Sequence, residues 1–162
     1  MESSLAQMAV RLDGYLDAIA SVDGGEREFF ASAFIVNNPG GSAGDFLVDY
    51  FGADAQLEIH SASEIIDWAR YLERALSGLV LHKPFGWQER HAGTDLNDRR
   101  RYISFRIMDM IAFASEGYDI PFLQDIKAGA PGSCAQTRFF LMPVGADYLV
   151  LQFMHEQKTG PE

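Results

Sequence analysis

The chain is predicted to be a single α+β domain with three helices and a mainly antiparallel sheet of about five strands, in the order α-βββ-α-α-ββ. Three observations predict this. Helical periodicity recurs in three separate stretches, and strand-like runs cluster together instead of alternating with those stretches. The length of 162 residues fits one domain with a sizeable core. Residues 1–3 and 157–162 are expected to fray.

The first helix is read from Leu5, Met8, Leu12, Leu16 and Ile19, which recur at three- and four-residue spacing. Ser3 or Ser4 can cap its start, and Gly24-Gly25 ends it. Arg11, Asp13 and Asp17 lie off the apolar stripe. "EREFFASAFIVNN" follows between glycine pairs and reads as a largely buried strand. "DFLVDYF" and "AQLEIHS" flank "GADA" and read as a second and third strand around a short turn. For 43–51 the rival is a helix capped by Ser42. The alternation of Phe46, Val48 and Tyr50 with Asp45 and Asp49 favours a strand.

"SASEIIDWARYLERALSG" reads as a helix capped by Ser61 or Ser63 and closed by Gly78, with Ile65, Trp68, Ala69, Leu72 and Leu76 as its stripe. Residues 82–94 show no period and read as a loop marked by Pro84, Gly86 and Gly93. A further helix is expected from about Asp95 to Ser115, with Ile103, Ile107, Met110, Ile111 and Ala114 facing the core. "YDIPFLQDIKAGAPGS" reads as irregular. "CAQTRFFLM" and "DYLVLQFMHE" read as a closing hairpin around "PVGA".

Charge is unevenly distributed. Residues 1–67 hold twelve acids and two bases, so the whole formal net charge of −10 arises there, while residues 68–162 balance to zero. An acidic chain repels phosphate, which argues against general nucleic-acid binding. Carboxylates gathered on one exterior face would attract a cationic partner. The single cysteine, Cys134, cannot form an internal disulfide. Glu2, Arg11, Asp13 and Asp17 interrupt any apolar leader, and no run reaches the length of a membrane span, so the expected location is cytoplasmic.

Candidate chemistry centres on residues 90–106, "RHAGTDLNDRRRYISFR", which carry five of the thirteen Lys and Arg residues. Thr94 can cap a helix whose first turn holds Asp95 and Asp98 against the dipole. Asp95–Arg99 and Asp98–Arg101 pair at helical spacing, and Arg100, with no acidic residue four positions before it, leads the candidates for contact with an anion or a partner. His91 and Asp95 have metal-ligand spacing, but Gly93 separates them and nothing completes a ligand set. Cys134 has no local base, there is no G-x-S-x-G, and "NNPGGSAGD" lacks the lysine of a phosphate-binding loop. In "HKPFGWQER", Phe85, Trp87 and Arg90 are residue types that anchor interfaces.

No metal, cofactor or catalytic residue is therefore assigned. The expected function is a non-catalytic acidic module that captures a basic partner protein. Its contacts would be Phe85, Trp87, Arg90, Arg100, Asp45, Asp49 and Asp54. In size, acidity and initial helix–strands–helix order the chain resembles bacterial secretion chaperones, although that pattern ends in a helix where a hairpin is read here. In size and charge it is also similar to bacterial immunity proteins. Either resemblance implies an inhibitor-type or chaperone-type role. The alternative is an enzyme or small-anion-binding protein that uses the His91, Asp95, Asp98 and Arg100 cluster beside Trp87. A homo-oligomer is also possible if the apolar strand "DYLVLQFMHE" forms an uncovered edge.

Overall fold

Leu5, Met8, Leu12, Leu16 and Ile19 are all buried along one face of a helix spanning Ser4–Val22 (α1), as their spacing predicts. The structure, a computed structural model, describes residues 4–22, 28–37, 58–79, 94–114, 119–129 and 135–156. After α1 come β1 (Glu28–Asn37), β2 (Glu58–Ile65), α2 (Trp68–Leu79), α3 (Thr94–Ala114), β3 (Leu123–Gly129), β4 (Ala135–Val144) and β5 (Asp147–Glu156). The result is a single α+β domain whose described residues form three helices and one five-stranded antiparallel sheet, ordered β1-β5-β4-β3-β2.

The closing hairpin forms where it is expected. Gly145 and Ala146 make its two-residue loop, and Gly145 has φ 61°. Tight hairpin turns need such a positive φ at their first central residue, which glycine supplies without a steric penalty. β5 then pairs with β4 on one side and with β1 on the other, so "DYLVLQFMHE" is not an edge. Among the described residues the edges are β1 and β2.

Two expectations are corrected. "YDIPFLQDIKAGAPGS" contains β3, which pairs with both β2 and β4, so the described order is α-β-β-α-α-β-β-β. The helix expected from Ser61 begins at Trp68, because residues 61–65 continue β2 along the edge of β3. There the β3 backbone satisfies their polar groups, and this pairing overrides the local capping pattern. Asp67 then starts α2: its carbonyl accepts the Tyr71 N–H at 3.5 Å. The strand expected over 43–51 lies outside the described residues.

The three helices cover one face of the sheet. α1 packs on β1, and α3 lies between α1 and α2. Their shared core takes alternate residues of the central strands: Phe140, Met142 and Val144 from β4, and Leu149, Leu151 and Phe153 from β5. The Phe140 and Phe153 rings meet edge to face, 5.9 Å apart. Ile126, Ala128, Phe139, Leu141 and Val150 point to the opposite face and are also buried. With both faces buried, the central strands read as continuous apolar runs instead of alternating. Each fully buried Leu or Phe stabilises the fold by about 1.5–3 kcal/mol.

Polar side chains fasten the helices to the sheet. Asp13, off the α1 stripe, accepts the Ala33 backbone N–H at 2.9 Å and fixes α1 against β1. The Trp68 indole N–H donates to the Ile120 carbonyl at 3.0 Å, fixing the start of α2. Ser104 is fully buried between α2 and α3; its hydroxyl lies 3.1 Å from that of Ser77 and 2.8 Å from the Arg100 carbonyl.

Candidate functional site

The most organised polar cluster of the described residues joins α2, β3 and β4. Asp125 on β3 is 4% exposed on the helix-covered face of the sheet. A carboxylate so buried must be paired. Arg138 on β4 supplies the pair with two bonds: Nε donates to Oδ1 at 3.0 Å and Nη2 donates to Oδ2 at 2.7 Å. The Tyr71 hydroxyl, from the first turn of α2, donates to Oδ2 at 2.5 Å and lies 3.4 Å from Arg138 Nη2. The Arg138 guanidinium also lies over the Phe140 ring, 4.7 Å from its centre.

These contacts set the protonation states. Burial opposes the charge on Asp125, but hydrogen bonds from Arg138 and Tyr71 and the charge of Arg138 outweigh it and hold the carboxyl below its ordinary range. The hydrogen bond to Asp125 pushes the Tyr71 phenol up, assisted by burial. Both Asp125 oxygens are engaged and the carboxylate stays ionised, so this cluster is a fastener and not a proton shuttle.

Beyond Arg138 the surface opens into a pocket of about 300 Å³ lined by His60, Leu79, Lys127, Ala128, Gln136, Thr137 and Arg138. Lys127 stands directly opposite Arg138 in the β3–β4 ladder. Like charges so placed repel unless something compensates them. Asp125 compensates Arg138, whereas Lys127 has no ion-pair partner among the described residues. His60 falls where the β2–β3 register shifts between Ile59 and Ser61, an irregularity of the kind that re-aims a side chain.

A second feature lies on the outside of the helical layer. Tyr102, Phe105 and Phe113 are 68%, 65% and 77% exposed on α3. They occupy one side of the helix, opposite the buried Ile107 and Ile111. Arg106 and Asp109 lie in the same stripe and pair at 3.7 Å. Tyr15 of α1 borders it: burial raises its phenol pKa, Tyr102 adds to the rise, and Arg106 opposes it.

No protein-family model matches the chain, and no curated protein matches it in sequence.

Of the residues singled out from sequence, Phe85, Trp87, Arg90, Asp45, Asp49, Asp54, His91 and Cys134 lie outside the described residues. Asp95 and Asp98 are the second and fifth residues of α3. Arg100 is half-buried on the side of α3 that carries Ser104 and Ile107, while Arg101 is exposed. The described acids before position 68 do not gather on one face. Asp13 and Asp17 lie on α1, over the β1 edge, whereas Glu58 and Glu64 lie on β2, the opposite edge. Four strand spacings, about 19 Å, separate these edges.

No group of three or more His, Cys, Asp or Glu side chains able to hold a metal occurs among the described residues. None of the described helices is long and apolar enough to cross a membrane. Sequence reading missed the Tyr71–Asp125–Arg138 cluster and the α3 aromatic stripe. The stripe had a signal, since Tyr102, Phe105 and Phe113 share one helical side. The cluster had none, because it depends on sheet register.

Proposed function

We infer that the protein is a non-catalytic binding module that captures a basic protein partner, through contact with the outer face of α3. The observation that carries this reading is the exposed row of Tyr102, Phe105 and Phe113. Large aromatics grouped on a helix facing water have no role in the core, and such patches typically mark interaction sites. Aromatics with an accompanying arginine are the common anchors of protein interfaces. The net charge of −10 supports a basic partner over a second copy, because like-charged chains repel and an oppositely charged one is drawn in. With the described acids divided between two edges, the attraction is a property of the whole chain. An inhibitor of a basic enzyme and a chaperone for a basic client would both use such a surface.

The test starts from the protein's own host. A captured protein is identified, purified and rebound to wild type and to a Tyr102→Ser/Phe105→Ser/Phe113→Ser variant. A basic partner that binds wild type and loses at least about a hundredfold in affinity with the variant supports the reading. An acidic partner, or equal binding by the two forms, contradicts it.

A further inference from the structure

We propose that the pocket between β2, β3 and β4 binds a small oxyanion, a phosphoryl or carboxylate group, held chiefly by Lys127 with Arg138 and His60. This inference is independent of the partner-binding face, which lies on α3.

Within a chain of net −10, the ladder sets two cations, Lys127 and Arg138, side by side. The arrangement costs stability unless both charges are balanced. The fold balances one: Asp125 takes Nε and Nη2 of Arg138. Lys127 remains exposed with no ion-pair partner among the described residues, at the wall of a cavity. The α2 C-terminus at Leu79 also reaches this cavity, and its terminal carbonyls carry about half a negative charge, less than the charge of Lys127. Among the described residues that line the pocket, Lys127 and Arg138 carry positive charge and none is acidic.

Geometry makes this charge usable. Arg138 is held in place by its two bonds to Asp125 and by the Phe140 ring, so ordering it costs a ligand little. Gln136, on the same face of β4 as Arg138, adds an amide to the same lining. His60 enters from β2 at the register shift, so three strands contribute polar side chains to one concavity. The volume, about 300 Å³, is at the small end of ligand sites and suits one acidic group on a compact molecule. Charge-assisted hydrogen bonds from Lys and Arg are the usual means of holding such a group.

The test is an amide-resolved NMR titration of the intact chain with inorganic phosphate and, separately, acetate. Sodium chloride at matched ionic strength is the control. Amides of residues 60, 127 and 136–138 should shift saturably below about 10 mM of one anion, enough to fill most of a millimolar site. Saturation with phosphate assigns the site to phosphoryl groups, and saturation with acetate assigns it to carboxylates. Lys127→Met, at an exposed position that leaves the Asp125 pairing intact, should weaken binding about tenfold. His60→Ala, also exposed, should weaken it severalfold. Shifts no larger than those from chloride, or equal binding by wild type and Lys127→Met, would overturn the proposal.

Discussion

Arg138 faces Lys127 across the β3–β4 ladder, yet its guanidinium grips Asp125, with Nη2 at 2.7 Å from the carboxylate. That diagonal reach decides the character of the whole corner. It neutralises the buried acid, orients the hydroxyl of Tyr71 and leaves Lys127 beside an open pocket.

Removing the arginine should be costly. Arg138→Met leaves Asp125 ionised and buried without its main partner, and breaking a buried pair this way costs about 3–5 kcal/mol. Tyr71→Phe removes one hydrogen bond to a carboxylate that keeps Arg138, and should cost about 1.5–3 kcal/mol. Urea denaturation of the two single variants and the double variant checks both values. Because the three groups share one network, the effects should not add.

The same cluster sets a pH window. The Asp125 carboxyl is held lower in the fold than in the unfolded chain. Its stabilisation is therefore present above the unfolded value, about 3.9, and is lost as pH falls through the folded value. The Tyr71 phenol is shifted the other way. Its share is present below about 10 and is lost as pH rises through the folded value. Stability measured from pH 2 to 11 should fall at both ends. In Arg138→Met the Asp125 share of the acid decline should shrink or disappear, because without Arg138 burial moves its folded-state pKa up towards the unfolded value.

Asp13 should behave as a structural acid despite its place in the acidic half of the chain. Asp13→Ala orphans the Ala33 N–H at the α1–β1 junction and should cost about 1–3 kcal/mol. Asp17→Ala, exposed on the same helix, should change stability by less than about 0.5 kcal/mol. Thermal unfolding of the two variants side by side separates these outcomes.

The aromatic row on α3 should be dispensable for folding. Serine at Tyr102, Phe105 and Phe113 removes side chains that face water, so the variant should unfold within about 0.5 kcal/mol of wild type per site. Light scattering across a concentration series should show the wild type as monomeric. A dimer that disappears with Phe113→Asp would assign the row to a second copy and contradict the basic-partner reading.

The legible parts of the fold are those where local pattern suffices. α1 follows from its stripe at three- and four-residue spacing, and the β4–β5 hairpin from two apolar runs around Gly145. β3 was hidden because Asp125, Lys127, Ala128 and Gly129 are poor strand formers. Its two buried faces also erase the two-residue period. Ser61 and Ser63, inside β2, imitate a helix cap, and only pairing with β3 decides against it. The candidate sites were least legible. Tyr71 and Arg138 are 67 positions apart and meet only through sheet register. That Asp13 and Asp17 lie over one edge and Glu58 and Glu64 on the other is likewise a property of strand order, not of composition.

The most direct measurement is the association rate of the purified basic partner with wild type and with the α3 triple-serine variant, from 20 to 500 mM salt. Capture by an acidic chain through an aromatic face predicts two separable effects. The wild-type association rate should fall at least about tenfold over that range, and the variant should associate at a similar rate but dissociate much faster. An association rate indifferent to salt, or a variant that dissociates no faster than wild type, would contradict the account.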